Sequence, residues 1–340
     1  MVNISDRAAI MSVALGFMGS QALYVAARLE LADRLAEGPA RTVELAAESD
    51  ADPQTMGRLL RALVACGVLT QDSPDEFGLT PMGHGLREGV PNSVRNFILL
   101  YCSPAVWQAF GELEGTVRTG RTAFETVHGM GAFAYCGAHP DVAAVFHRAM
   151  AEDASQVAAH VTEAYDFSGL RTVADIGGGN GTLIAEVLSR ATHLHGILFD
   201  TEQGVATAPG VLADADVASR CTVVAGDFFA SVPAADAYLL KSTVHDWSDA
   251  DAARILATCC QAMTPGSRLL LIERVLPSTI APSAGAHGVR HQLAGPVIMG
   301  GHERTAAEFQ KLLGQVGLEL VQISEPLGDT GYHIIEGRLA

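Results

Sequence analysis

Two groups of residues in this chain have the types and spacing to do chemistry. The first is a glycine turn, in which the apolar run Val173-Ala174-Asp175-Ile176 ends in Gly177-Gly178-Gly179-Asn180-Gly181 and a helical pattern begins at Thr182. Glycines remove Cβ atoms where backbone approaches a ligand or takes a positive φ. The spacing Gly177-x-Gly179-x-Gly181 lacks the glycine that a dinucleotide fingerprint needs at 182, where Thr182 stands. Asp175, just before the turn, suits a cationic ligand better than a pyrophosphate. The second group is a series of polar residues, each closing an apolar run. They are Asp200, Asp227 with Phe228, Lys241 followed by His245-Asp246, and Glu273. A single such aspartate is often only a cap or a turn; the ordered set points to a site.

The elements that would carry these groups alternate. Apolar strands are expected at 172–176, 196–200, 221–225, 236–241 and 268–274, with two late ones near 318–324 and 331–337. Helical patterns fall near 181–190, 204–216, 249–262 and 305–316. This alternation implies an α/β fold, a parallel sheet covered on both faces, with ligands at the carboxyl ends of the strands. A ligand that fits those ends is a nucleoside with a cationic group and no phosphate. Asp200 can accept from two ribose hydroxyls and Asp227 from an adenine amino group, with Phe228 against the ring. The turn at Gly177 and Gly179 leaves room for an amino-acid moiety. That ligand is S-adenosylmethionine, with S-adenosylhomocysteine as its product.

Ahead of the sheet the chain reads as helical. A long pattern over 9–36 is apolar on nearly all faces and suggests a buried or subunit-contact helix. Thr42 is placed to cap one further helix and Asp52-Pro53 opens another; strands at 68–71 and 77–80 flank a turn, which together suggests a winged helix. Its recognition helix offers only Arg58 and Arg61 as cations, and its wing tip carries Asp72, Asp75 and Glu76. With a net charge of −16 over 340 residues, this argues against a nucleic-acid surface. Each aromatic anchor from Phe97 to Phe146 is more often core than ligand contact, and some of them could wall an aromatic pocket; position alone does not sort them. No uninterrupted apolar run approaches the ~20 residues that span a bilayer, the N-terminus lacks the pattern of a secretory signal, and a cytoplasmic protein is expected. The six cysteines form no C-x-x-C pair and the twelve histidines show no metal-ligand spacing, so no metal is expected.

With these motifs in order, the sequence resembles the small-molecule O-methyltransferases of the plant caffeate and bacterial antibiotic-tailoring type. The motifs that carry the likeness are Asp175-Ile176-Gly177-Gly178-Gly179-Asn180-Gly181, Phe199-Asp200, Gly226-Asp227-Phe228-Phe229, Lys241 with His245-Asp246-Trp247, Glu273-Arg274-Val275, and Gly300-Gly301-His302-Glu303-Arg304-Thr305. The resemblance implies a winged-helix dimerisation domain over 1–95, a helical linker contributing to the substrate pocket over 96–165, and a Rossmann-like catalytic domain over 166–340. It implies a homodimer, cofactor contacts at Gly177, Asp200, Asp227, Phe228 and Lys241, and a catalytic base at His245 flanked by Glu273 and Glu303. Trp107, Phe146, Met150, Asp246 and Met299 are the candidates for the pocket of an aromatic or polyketide-like acceptor. A histidine near its ordinary pKa of ~6.5 can take the proton of a hydroxyl as it attacks in line on the methyl group.

Two places depart from the family pattern. Thr201-Glu202 replaces the usual Leu-Pro after Asp200, and Gln292-Leu293-Ala294-Gly295-Pro296 replaces a bulkier run ahead of Gly300. The first alters an edge of the adenosine pocket and the second the shape of the acceptor pocket. The readings left open are N-methylation, a non-methylating reaction on the same cofactor scaffold (hydroxylation, decarboxylation or pericyclic chemistry), and a winged-helix regulator.

Overall fold

The computed structural model describes residues 4–282 and 285–340, the side chains of Ile4, Ala286 and His287 excepted. Helix α1 (Ile4–Arg28) ends earlier than the 9–36 pattern suggested, because Glu30 turns into the left-handed region with φ 56°. The break lets α2 (Leu31–Arg34) and the following residue place Leu31, Ala32 and Leu35 in a core. Next come β1 (Ala40–Arg41), α3 (Thr42–Glu48), α4 (Pro53–Ala65), β2 (Leu69–Ser73) and β3 (Glu76–Leu79). The strands pair in the order β1-β3-β2, completing a winged helix. Asp52 caps α4, its carboxylate accepting the Thr55 N–H at 2.8 Å. At α3 the cap position falls on Arg41, one residue before Thr42, and the Glu44 carboxylate accepts the Arg41 N–H at 2.8 Å.

Most of α1 is not buried by its own chain: Ile10, Val13, Phe17 and Met18 are exposed, Val13 at 84%. Ser5–Arg28 is long and apolar enough to cross a bilayer by length and composition alone, an 18-residue window within it having a mean hydropathy of 1.5. The segment passes on average composition rather than as an uninterrupted apolar run. Ser12, Ser20 and Gln21 punctuate the segment without making it polar on average.

Five further helices follow: α5 (Arg95–Tyr101), α6 (Pro104–Gly111), α7 (Leu113–Thr119), α8 (Ala123–His128) and α9 (Ala132–Ala138). The long α10 (Pro140–Ala164) then leads to the sheet. By packing, the chain divides into one unit of residues up to Trp107 with Asp141–Glu152, and a second of Gln108–Pro140 with Asp153–Ala340.

The second unit carries the expected alternation: β4 (Thr172–Ile176), α11 (Thr182–Arg190), β5 (His195–Asp200), α12 (Ala208–Asp214), β6 (Cys221–Ala225), β7 (Ala237–Lys241), α13 (Asp249–Ala262) and β8 (Arg268–Leu276). The chain continues through α14 (Gly285–Ala294), β9 (Arg304–Thr305), α15 (Ala306–Gln315), β10 (Leu318–Ile323) and β11 (Tyr332–Leu339). The strand order is β10-β11-β8-β7-β4-β5-β6, with β9 on the end of β8. From β6 to β8 neighbours are parallel, whereas β11 runs antiparallel between β8 and β10. A short loop after β10 permits only a hairpin return, so the sheet is mixed rather than wholly parallel.

Alternate strand residues feed two cores. Val173, Leu198, Leu239, Leu270 and Ile272 pack with α11 and α12 on one face. Ala174, Ile176, Phe199, Tyr238, Leu240 and Leu271 pack with α13 and α15 on the other. Burial on both faces is why these strands read as continuous apolar runs. The order of connection reverses between β4 and β7, so the ends of β4, β5 and β7 open at the switch point of the sheet.

Candidate active site

The glycine turn sits at that switch point. Gly177, Gly179 and Gly181 take φ of 72°, 57° and 82°. Gly178 is required for a different reason: a Cβ there would lie 2.5 Å from Leu198 Cδ1 and 2.6 Å from Asp175 Cγ. The Gly179 N–H donates to Asp200 Oδ2 at 2.8 Å, joining the turn to the end of β5. Asp200 Oδ1 accepts the Thr201 N–H at 2.6 Å and its hydroxyl at 3.1 Å. The departure at Thr201 therefore braces the carboxylate, whose remaining lone pairs stay free for hydroxyls. At the end of β6, Asp227 Oδ1 accepts the Phe229 N–H at 2.8 Å. The Phe228 ring stands against Gly177, with Cε1 3.7 Å from where a Cβ would be.

Beneath the turn, Asp175 is buried and neither carboxylate oxygen has a hydrogen-bond partner. Burial, with the Asp200 charge adding to it, pushes its carboxyl up to about 7. A phosphate-free cationic ligand fits this surround of bare backbone, orphaned carboxyl and strand-end carboxylates. A pyrophosphate does not.

Lys241 stands elsewhere than a simple ligand contact would suggest. Its ammonium is paired with Asp153 and lies 5.2 Å from the centroid of the Tyr332 ring. Asp153 also accepts from the Tyr332 hydroxyl at 2.6 Å and from Arg274 at 3.4 Å. Burial opposes the Asp153 charge, but Lys241 and Arg274 outweigh it and hold the carboxyl at about 2. Neither Asp153 nor Tyr332 lies in a motif, so neither is marked out by the order of residues.

After β7 the chain turns sharply at Ser242, a non-glycine residue with φ 51°, whose hydroxyl bonds Tyr332 Oη at 2.7 Å. A 3-10 turn over Val244–Asp246 then presents His245. Its Nδ1 lies 2.6 Å from Glu273 Oε2, and its Nε2 lies 3.3 Å from Asp246 Oδ1. Glu273 is fully buried on β8, and its Oε1 accepts the Thr243 and Val244 N–H groups, each at 2.9 Å. Burial works against a charge on His245, but the Glu273 and Asp246 carboxylates raise its pKa well above the ordinary value. Glu303 approaches the same centre: ligand-type atoms of His245, Glu273 and Glu303 lie within 4.8 Å of one another. Three such groups could converge on a metal, yet both Glu273 oxygens are already bonded, in the pattern of a carboxylate that orients a histidine. Glu303 is held below its ordinary pKa; burial opposes this, and His291, His245 and Arg274 prevail.

Two residues outside the expected set fix the His245 turn. Arg304 is fully buried and donates to Val244 O at 2.8 Å, Trp247 O at 3.0 Å and Asp249 Oδ1 at 2.8 Å. Gly301 packs its backbone on the same turn, where a Cβ would come 2.2 Å from His245 O. The second departure also has a structural cause. Gly295–Met299 form a π-helical turn closed by Gly300 N–H to Gly295 O at 2.8 Å, and a Cβ at 295 would lie 2.4 Å from Gly301 O. Pro296 lacks the N–H of a regular helix, consistent with the bulge. Met299 lies on this turn, and Trp247 stacks on Phe133 with centroids 5.6 Å apart. Trp107, Phe146 and Met150 belong to the first unit, on α6 and α10, with Trp107 tilted against Phe17 at 6.1 Å.

The family comparisons agree with this geometry. Residues 110–319 match the model of an O-methyltransferase domain, and residues 11–87 that of an O-methyltransferase dimerisation domain. The chain is 39% identical to a phenazine O-methyltransferase of Lysobacter antibioticus over 95% of its length and 93% of that protein. It superposes on the structure of mitomycin 7-O-methyltransferase with a TM-score of 0.92 at 34% identity, covering 99% of this chain and 100% of that one. It is also 36% identical to aclacinomycin 10-hydroxylase of Streptomyces purpurascens, over 88% of this chain and 81% of that protein.

Proposed function

From the premise that the chain belongs to the S-adenosylmethionine-dependent O-methyltransferase family, we propose that it methylates a hydroxyl of an aromatic or polyketide-like small molecule, with His245 at the acceptor oxygen. The observation that carries this is the His245–Glu273 pair at 2.6 Å, at the end of the strand next to the one that ends in the glycine turn. When bound, the cofactor supplies a methyl group on a positively charged sulfur. The glycine turn, Asp200, Asp227 and Phe228 hold it, and Asp175 sets the charge beneath it. Lys241, tied to Asp153, supports the end of β7 rather than acting alone. Glu273 fixes the ring of His245 through Nδ1 and leaves Nε2 toward the acceptor. As a general base His245 must first be neutral, so turnover of a weakly acidic hydroxyl rises with pH until the histidine has titrated. Residues 11–87 support a homodimer, in which a second copy rather than lipid covers α1, and a cytoplasmic enzyme.

His245→Ala tests the reading. Turnover should nearly vanish while S-adenosylmethionine affinity, measured by calorimetry, stays within a fewfold; unchanged turnover sinks it. The hydroxylase relative favours one alternative, chemistry without methyl transfer. A labelled methyl group followed from cofactor to product separates the two, and its arrival on nitrogen would mark N-methylation.

A further inference from the structure

Both ring nitrogens of His245 face carboxylates, Glu273 on Nδ1 at 2.6 Å and Asp246 on Nε2 at 3.3 Å. A neutral imidazole has one N–H; only the imidazolium donates from both sides. Glu303 stands near the same centre, with His291 3.5 Å from its Oε1 and Arg274 contributing a further positive charge. The charges around the ring therefore come from its own turn, from β8 and from the segment before β9, and the carboxylates among them favour a protonated ring.

The two nitrogens differ in what can replace their partner. Glu273 is fully buried and its second oxygen is bonded to two backbone amides, so it cannot leave Nδ1. Asp246 is partly exposed, and its contact to the ring is long at 3.3 Å. An arriving acceptor thus reaches His245 at Nε2, in the place of the Asp246 carboxylate.

We propose that the acceptor oxygen binds there as an oxyanion, so that the enzyme selects acidic hydroxyls, such as one conjugated with a quinone or ring carbonyl. This rests on the O-methyl transfer proposed above and names its substrate class. The exchange at Nε2 is then anion for anion, and the imidazolium keeps two negative partners. A neutral hydroxyl in the same place would lack a base, because the ring already holds both its protons. In the transfer the oxyanion's lone pair forms the O–CH3 bond while the bond from methyl to sulfur breaks. The electron pair of that bond stays on sulfur. Negative and positive charge cancel, the products are a neutral ether and a neutral thioether, and His245 ends with the proton it began with.

The test uses the full chain with S-adenosylmethionine and matched pairs of one-, two- and three-ring hydroxyarenes. One pair is 2-hydroxy-1,4-naphthoquinone, ionised at neutral pH, and 2-naphthol, un-ionised. Methyl ether formation is followed by mass spectrometry at pH 7. The ionised member should be preferred by about tenfold or more in kcat/KM, since a hydrogen bond to a charged group is worth about that factor. The ratio is read on one preparation, so the fraction of active protein cancels. The decisive arm is His245→Gln with the ionised acceptor. That acceptor has no proton to give, yet its kcat/KM should fall about tenfold to a hundredfold. If the variant keeps it within twofold while losing 2-naphthol, His245 is a base only and the inference is overturned. A preference for un-ionised members at pH 7 overturns it as well. If the wild-type chain methylates no member of any pair, it is the O-methyl transfer reading that fails.

Discussion

Replacing Gly301 with alanine should disable the site without emptying it of cofactor. The added Cβ would sit 2.2 Å from His245 O, 2.4 Å from Asp246 C and 2.4 Å from Trp247 N. All three are backbone atoms, so no side chain can rotate away. Non-bonded heavy atoms rest at roughly 3.5 Å, and relief requires the two segments to part by about 1 Å. Neither is free to part. The His245 turn is hung from Glu273 by two amides and from Arg304 by two carbonyls, while Gly301 packs on Gly295 within 2.4 Å of a Cβ position. Overpacking of this kind costs about 1–3 kcal/mol in stability. A reacting group displaced by about 1 Å loses roughly a hundredfold in rate. The expected result is kcat lowered about a hundredfold, with S-adenosylmethionine affinity by calorimetry within threefold, because the glycine turn and the strand-end carboxylates are not touched. A variant that retains wild-type kcat would show that the position of the His245 turn does not limit the reaction. Equal loss of cofactor affinity would show that the damage is global.

Arg304→Met should cost about 3 kcal/mol in chemical denaturation, since it strips donors from two backbone carbonyls at the His245 turn; a loss under 1 kcal/mol would mean water or a neighbour replaces them. Asp175 gives a pH signature in the cofactor-free protein. Its carboxyl titrates near 3.8 when unfolded and at about 7 when folded, so between those values the folded state binds the extra proton and stability falls as pH rises. The gap is worth on the order of 4 kcal/mol, and Asp175→Asn should flatten the difference in unfolding free energy between pH 5 and pH 8. An unaltered slope would count against the assignment. Val13, 84% exposed on α1, should lie in a subunit contact, and Val13→Glu should shift the protein toward monomer in light scattering; a dimer unaffected by the charge would place the contact elsewhere.

The sheet was legible because burial on both faces leaves strands that are apolar throughout, and alternation with helices then fixes the parallel core. The antiparallel β11 was not, because direction depends on the length of the return loop rather than on the strand's own composition. The break at Glu30 was hidden for a related reason: Leu29, Leu31 and Leu35 continue a helical pattern, and only their packing around the winged helix reveals the turn. The strand-end residues Asp200, Asp227, Lys241 and Glu273 were visible because each is the first polar group after an apolar run, whereas His245, beyond Lys241-Ser242-Thr243-Val244, was marked out by the motif it shares with the family.

What the order of residues could not carry is who holds whom. Glu273 read as a neighbour of His245, and it is, but one of its two oxygens is given to the backbone amides of Thr243 and Val244. Arg304 stood in plain view within Gly300-Gly301-His302-Glu303-Arg304 and read as part of a motif, not as the donor to carbonyls on both sides of His245. The two hold the same turn from opposite polarities, the carboxylate taking its amides and the guanidinium supplying its carbonyls. Each can be buried because the turn satisfies it, and the turn can be irregular because they satisfy it. The histidine's raised pKa follows from this arrangement. Burial disfavours a charge on the ring, but a turn hung on a buried carboxylate brings a negative charge to Nδ1, Asp246 adds a second at Nε2, and together they lift the pKa well above its ordinary value.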